Sequence, residues 1–247
     1  MATGLSLVAG GGLSTPRPAD EPSLAGACGR LSALPWPERP TLSEVFAASP
    51  RDGGWAGLLL ARLAGAQPDG DRPLLWVQER MAILEAGRVH PPGLGDPIPE
   101  IIHVEARDAR TALWAMEEGL RCAGLGAVIG ELWGDPRALD FTATRRLAVA
   151  AERHGVAAFL IRLGGQANLS GARMRWRVAS APSAPHPFDP RAPGAAAWDT
   201  ELFRARGLAP GRWRVADDAP GQVHPGDLVA APGNRAVAPH ARLRGAA

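Results

Sequence analysis

The chain has 247 residues and contains neither lysine nor tyrosine, so that all 27 basic residues are arginine. Its formal net charge is +2, but residues 1–170 carry 16 arginines against 19 acidic residues, whereas residues 171–247 carry 11 against 6. The two cysteines, Cys28 and Cys122, match no metal or redox spacing, and no run approaches the ~18 apolar residues of a membrane span. These features exclude a disulfide scaffold and a membrane protein, and we expect a soluble protein of the cytoplasm.

Composition divides the chain into three segments. Residues 1–40 are rich in alanine, glycine, serine and proline and lack the basic start of a signal peptide, so we expect a flexible arm with a short helix around Leu24–Leu34. Residues 41–180 alternate short apolar runs with helical periodicity, which predicts βα units. Residues 181–247 form a proline- and arginine-rich extension with a disordered end. Its two strand-like pieces are candidates for a hairpin, at Thr200–Ala205 and Arg212–Val215.

The middle segment is predicted to form an α/β fold, with a mostly parallel sheet flanked by helices. The strands are expected at Ser43–Ala47, Leu74–Val77, Glu100–Val104, Ala127–Leu132, Ala157–Leu163 and Arg173–Ala179. One helix is expected over Trp55–Gly65, and a second begins after an N-cap at Asp108. A third is capped by Thr142 or Asp140 and ends at Gly155.

The loop between the first strand and the first helix resembles a degenerate phosphate-binding loop. It carries Gly53 and Gly54 ahead of a helix start, which is the geometry that presents backbone amides to an anion. However, Gly54 or Trp55 stands where a phosphate loop requires lysine, and arginine does not replace that point charge without reshaping the loop. Any βα turn can contain two glycines, in which case Trp55 packs over the vacated site or the sheet edge.

Two acidic residues follow predicted strands. Glu131 ends the fourth strand, where phosphate-loop enzymes place the acid that positions magnesium. Without a lysine we expect a structural role for Glu131, bonding backbone amides at the edge of the sheet. Glu79, just past the second strand, is either a relic of a general base or a solvated loop carboxylate.

The sixth strand and the hairpin carry the candidates for contact with DNA or a partner. Alternation along the strand gives one face three guanidinium groups, at Arg173, Arg175 and Arg177, while Trp176 lies in the core or stacks on a base. A strand face with charges pointing to water explains the same pattern. The further candidates are Arg204, Arg206, Arg212, Trp213 and Arg214.

Motifs for stand-alone catalysis are missing from the sequence. The six histidines show no metal-ligand spacing, and no serine lies in a nucleophile elbow. We therefore expect no metal, no cofactor and no catalytic residues.

The order of these features resembles the ATPase core of RecA over residues 41–180, and more closely the ImuA-type proteins, RecA-like accessory factors of damage-induced mutagenesis. The similarity covers roughly two-thirds of the chain. The stretches that carry it are Gly87–Leu94, Ala112–Leu120, Gly130–Asp135, Thr144–Leu147, Arg173–Val178 and Pro187–Gly194.

The resemblance implies a RecA-like core with a degenerate phosphate loop and a non-catalytic scaffold of a translesion DNA synthesis complex in the SOS response. The implied partners are an ImuB-type inactive Y-family polymerase and, through it, an error-prone C-family DNA polymerase, with RecA and single-stranded DNA as further candidates. The alternatives are a residual ATPase that uses Glu131 and Glu79, a stand-alone DNA-binding module and, less favoured, an SOS cell-division inhibitor.

Overall fold

The computed structural model of the protein describes residues 29–66, 72–91 and 100–217, apart from Pro187 and Pro190. Most of the predicted N-terminal arm and the predicted disordered end lie outside the described residues. The described part of the expected helix around Leu24–Leu34 is instead a two-residue strand, followed by a single 3-10 turn at Leu31–Ala33. That helix prediction is wrong there, because strand pairing fixes Gly29–Arg30 and a proline follows directly after Leu34.

Nine strands and four α-helices make up the described chain. In chain order they are β1 (Gly29–Arg30), β2 (Leu42–Ala47), α1 (Gly54–Ala66), β3 (Leu74–Glu79), α2 (Arg80–Ala86), β4 (Ile101–Ala106), α3 (Ala109–Leu120), β5 (Ala127–Trp133), α4 (Phe141–His154), β6 (Ala157–Leu163), β7 (Met174–Ala181), β8 (Ala197–Ala205) and β9 (Gly211–Ala216). All six strands predicted for the middle segment form within two residues of their expected bounds.

The strands form one mixed, mostly parallel sheet in the order β1-β9-β8-β7-β2-β6-β5-β3-β4. The six strands from β7 to β4 are mutually parallel, and β8 runs antiparallel to both β7 and β9. The α/β prediction is therefore correct, and the two strand-like pieces of the extension do pair as a hairpin. Because the sheet continues across residue 180, β8 and β9 are part of the same layer as the strands before them.

Two apolar clusters cover opposite faces of the sheet. On one face α1 packs through Leu59 and Leu63 against Trp76, Ile129 and Phe159. The cluster on the other face joins α3 and α4 to strand residues that include Leu75, Val128 and Leu160. Strands that are buried on both faces read as continuous apolar runs, which explains why they were recognisable in the sequence.

The helix ends follow their capping residues. Asp108 accepts a hydrogen bond from Thr111 N at 2.8 Å, and Asp140, rather than Thr142, accepts one from Ala143 N at 2.7 Å. Gly155 ends α4 with a left-handed φ of 70°. The sequence did not predict α2, because its seven residues have no side-chain cap and make only about two turns.

Candidate functional site

The predicted phosphate loop, residues 48–54, is closed by one of its own carboxylates. Asp52 Oδ1 accepts hydrogen bonds from Gly54 N at 2.9 Å and from Ser180 Oγ at 2.6 Å, and Oδ2 accepts one from Ser180 N at 2.9 Å. Burial alone would raise the pKa of Asp52, but the hydrogen bonds from Ser180 and Gly54 together outweigh it and the pKa is lowered. An internal anion thus lies at the start of α1, where such loops hold a phosphate.

Glycine is required at position 54 for this closure, since a Cβ there would overlap Ser180 Oγ. Gly53, by contrast, has open space around it, so the structure gives no steric reason for a glycine at that position.

Trp55 is buried in the first turn of α1. Its ring centroid lies 5.8 Å from that of Trp76 on β3, and both rings belong to the core cluster beneath α1. The placement agrees with a packing role for Trp55.

Glu131 is buried at the carboxyl end of β5 and accepts hydrogen bonds from two side chains of β3. Trp76 Nε1 donates to Oε1, and Gln78 Nε2 donates to Oε2 at 3.1 Å. Burial raises the pKa of Glu131 to about 7, although both hydrogen bonds lower it. Glu131 is hydrogen-bonded within the protein, as a structural role requires. The expectation that it bonds backbone amides is wrong, because its carboxylate accepts from side chains of the neighbouring strand β3.

Gln78 links Glu131 to the segment after α2. Its Nε2 also donates to Gly87 O at 3.1 Å, while Oε1 accepts from Val89 N at 2.9 Å and lies 2.9 Å from His103 Nε2. Because an amide oxygen only accepts, His103 Nε2 is the donor in that contact. The network fixes the orientation of the carboxylate and leaves none of the Gln78 amide hydrogens for a ligand.

Glu79 has the role that was expected of Glu131. It is the last residue of β3, is only 7% exposed, and accepts a hydrogen bond from Trp133 N at 2.9 Å. The prediction of a solvated loop carboxylate is therefore wrong: β3 extends two residues beyond its predicted end and carries Glu79 into the sheet edge.

A second buried network, which the sequence analysis did not identify, joins β2, β6 and β7. Glu44 is fully buried and binds both Arg162 Nη1 at 3.2 Å and Arg175 Nε at 2.7 Å. Arg162 also pairs with Asp135, and both guanidinium groups lie over the ring of Phe46 at 5.4 and 5.3 Å from its centroid. The signal in the sequence is a charged residue inside an apolar strand, which must find a partner when it is buried.

The three alternating arginines, one just before β7 and two within it, differ in environment. Arg173 forms a two-bonded pair with Glu152 at 2.5 and 3.1 Å, Arg175 is buried, and Arg177 is exposed and pairs with Glu201 at 2.9 Å. Each guanidinium has an internal carboxylate partner, so the expected row of three free charges does not form.

Trp176 is also buried, on the opposite face from these arginines, with its ring 6.1 Å from that of Trp213. The prediction that Arg175 and Trp176 contact DNA is wrong, because both side chains are buried and inaccessible to a nucleic acid. Of the two readings of Trp176, the core position is the one observed.

The candidate contacts on the hairpin are more accessible. Arg204 and Arg206 are exposed at the end of β8, and Arg212 is exposed on β9 while pairing with Glu201 at 3.1 Å. Arg214 pairs with Asp199 and is half-buried. The hairpin therefore presents an arginine surface near one end of the sheet, and its turn lies beside Glu152 of α4.

An open cavity of about 600 Å³ lies beside this surface. Its wall includes Phe46, the loop residues 165–167, and the Arg177–Glu201–Arg212 arrangement. Arg177 and Arg212 of the wall share Glu201, and Asp199 of the wall pairs with Arg214, so these charged groups already have partners within the chain. Within the part of the chain that the structure describes, no three histidine, cysteine or acidic residues are grouped as metal ligands. Nor is any of the described helices long and apolar enough to cross a membrane.

Comparison with known proteins gives two kinds of similarity, and no family model matches the chain. The chain is 36% identical over 167 residues to Protein ImuA of Caulobacter vibrioides, from strain NA1000 / CB15N and equally from strain ATCC 19089 / CIP 103742 / CB 15. The aligned region covers 63% of this chain and 65% of the relative, so the chain spans just under two thirds of the curated proteins it matches. Among solved structures it is similar to SulA from Pseudomonas aeruginosa, with a TM-score of 0.36 and 21% identity over 50% of this chain and 98% of that one.

Proposed function

We propose, from the similarity to Protein ImuA, that this chain is an ImuA-type protein and takes part in SOS mutagenesis as a non-catalytic scaffold of a translesion DNA synthesis complex. In this proposal it binds an ImuB-type polymerase homologue and, through that protein, an error-prone C-family polymerase. DNA and RecA are further candidate partners. The similarity to Protein ImuA supports the role in SOS mutagenesis, and the geometry of the β2–α1 loop supports the absence of catalysis in this proposal.

The observation that supports a non-catalytic role is the occupied anion position at the start of α1. A phosphate there would have to displace Asp52 from Gly54 and Ser180, and would meet like charge. The chain has no lysine to attract a γ-phosphate, and Trp55 is packed beside Trp76 in the core. Glu131 is held by Trp76 and Gln78 and is therefore not available to position magnesium and its waters.

The proposal includes a RecA-like core whose nucleotide site has become part of the packed interior. Its support is the order of features along the chain: a strand, a glycine-bearing loop into α1, and the acid-ended β5 within a parallel sheet. In such sheets ligands bind outside the carboxyl ends of the strands, which is where Asp52, Glu79 and Glu131 lie. These groups now bind protein atoms.

Partner capture in this proposal uses the arginine surface of the β8–β9 hairpin. Arg204 and Arg206 are exposed, and neither forms an ion pair with the described residues, although Arg206 lies beside Glu152 of α4. The hairpin lies near one end of the sheet, so a partner can bind it without disturbing the strands from β2 to β4. An acidic partner would recognise these guanidinium groups by charge and by paired hydrogen bonds.

The test is co-expression of a tagged full chain with the ImuB-type protein and the C-family polymerase, followed by purification on the tag. We expect stoichiometric recovery of both partners with the wild type, and loss of the ImuB-type protein with Arg204→Glu/Arg206→Glu. The matched control is Arg107→Glu/Arg110→Glu, which reverses two exposed arginines at the start of α3. If the partners are shown to be folded and the wild type is nevertheless purified without them, the scaffold proposal is wrong.

The enzymatic alternative makes a separate expectation. A residual ATPase would be stabilised by millimolar ATP in a thermal-shift measurement, and Glu131→Ala would remove that shift. We expect no shift for the wild type, because the anion position is occupied. A nucleotide-dependent shift that disappears in the variant would favour the ATPase.

A further inference from the structure

A basic groove lies between α3 and α4. It has a volume of about 310 Å³, and four arginines and one glutamate line it together with Val149. The charged residues of its wall are Glu117, Arg121, Arg145, Arg146 and Arg153. None of them has a place in the site described above.

The ion pairs within the groove leave an excess of positive charge. Glu117 binds both Arg121, at 3.3 Å, and Arg146, and the exposed Glu118 binds Arg121 at 2.8 Å. Arg145 and Arg153 are exposed and have no acidic partner among the described residues. Two guanidinium groups therefore face solvent beside a groove whose single acidic side chain is already shared.

Apolar side chains alternate with these two arginines along α4. Phe141 and Val149 are 40% and 49% exposed, and the series Phe141, Arg145, Val149, Arg153 repeats every four residues, so its members share one side of the helix. On α3, Trp114 is 61% exposed and lies one turn before Glu117. An exposed helix face that combines large apolar groups with unpaired cations is typical of an interaction surface.

The combination favours a protein segment over a nucleic acid. Phosphate backbones are bound by arginine and polar groups and gain little from an aliphatic side chain such as Val149. An amphipathic helix with acidic residues beside its apolar side would use both the arginines and the apolar residues of this face. Charge complementarity thus identifies one class of occupant.

We propose that the α3–α4 groove binds an acidic amphipathic helical segment of a protein partner, with Arg145 and Arg153 contacting its carboxylates and Val149 contacting its apolar side. The inference rests on the proposed function in taking that partner to be the polymerase-like protein of the complex. It adds a second contact surface, separate from the hairpin.

The test compares two matched double variants of the full chain in co-purification with that partner. Arg145→Glu/Val149→Asp changes an exposed arginine and an exposed apolar residue four positions apart on α4. The control, Arg80→Glu/Leu84→Asp, makes the same changes at the same spacing on α2, where Leu84 is 67% exposed. We expect roughly tenfold or greater loss of affinity for the α4 variant only, and weaker wild-type binding at high salt.

A photo-crosslinking residue at position 149 identifies what occupies the groove. Crosslinks to a partner peptide that mass spectrometry shows to be rich in acidic and apolar residues would support the proposal. Crosslinks to DNA, to a second copy of this chain or to a non-acidic segment would overturn it, as would equal capture by the α4 variant and the wild type. If the wild type captures no partner at all in this co-purification, the failure is that of the proposed function.

Discussion

The carboxyl edge of the sheet and the α3–α4 groove differ in whether their charged side chains are paired within the chain. At the edge, Asp52 and Glu131 bind groups of the same chain, and Trp55 is packed beside Trp76 in the core. In the groove, Arg145 and Arg153 face solvent without acidic partners among the described residues. The region that resembles a ligand site in the sequence is thus closed, and a region with no motif presents open charge.

The difference between the two regions decides whether their charged groups stabilise the fold or stay available for binding. A packed ring and a bonded carboxylate stabilise the fold and lose the ability to exchange for a ligand, whereas exposed charges add little to stability and stay available for binding. Substitutions at the closed edge should therefore change the free energy of unfolding, and substitutions at open surfaces should change affinity.

The largest expected difference in stability is between substitutions of a buried and an exposed tryptophan. Trp55→Ala should lower the free energy of unfolding by about 3–5 kcal/mol, because it leaves a cavity in the core beneath α1. Trp114→Ala should change it by less than about 0.5 kcal/mol, since that side chain is mostly exposed. Urea unfolding of both variants measures the contrast, and equal losses would contradict the packing role of Trp55.

Two glutamates that each bind a pair of arginines provide the next comparison. Glu44→Ala should cost about 3–5 kcal/mol, because Arg162 and Arg175 would stay buried without their carboxylate. Glu201→Ala removes the carboxylate shared by two exposed arginines and should cost less than about 1 kcal/mol. Chemical denaturation of the two variants under the same conditions measures the difference. Similar values for both would mean that burial does not decide the strength of these ion pairs.

A smaller effect is expected in the pH dependence of stability. Burial raises the pKa of Glu131 to about 7 in the folded protein, so between about pH 4.5 and 7 the folded state holds a proton that the unfolded chain releases. The resulting stabilisation is present below about pH 4.5 and is lost as the pH rises through 7, by an amount on the order of 1–3 kcal/mol. Glu131→Gln does not titrate and should lack this part of the slope. Urea unfolding of both proteins across this range is the measurement, and parallel curves would show that Glu131 does not titrate there.

Much of the fold could be predicted from local sequence signals. The runs that became β3, β5 and β6 are apolar on both faces, and Asp108 and Gly155 mark helix ends by hydrogen bonding and by backbone conformation. The short α2 had no such signal, and the helix expected to include Gly29–Arg30 does not form there because pairing with β9 decides the conformation of β1.

The positions of the candidate-site residues could be predicted from the sequence, but their hydrogen-bond partners could not. The sequence placed Glu79 and Glu131 at strand ends, yet which of them bonds a backbone amide depends on the register of β3 against β5. The role of Asp52 depends on Ser180, which lies 128 residues later in the chain and on a strand that reaches the loop only in the folded sheet.

The sequence by itself determined the α/β class, the chain order of the strands β2 to β9 and of the helices α1, α3 and α4, and the absence of lysine, because these depend on local periodicity and residue type. The tertiary structure decided which charges are satisfied internally: Glu44 with Arg162 and Arg175 on one side of the sheet, and Arg145 with no acidic partner among the described residues. The physical reason is that burial and pairing are properties of residues distant in sequence. A charge becomes structural when the fold desolvates it beside a partner, and it stays available for binding where the fold leaves it in water.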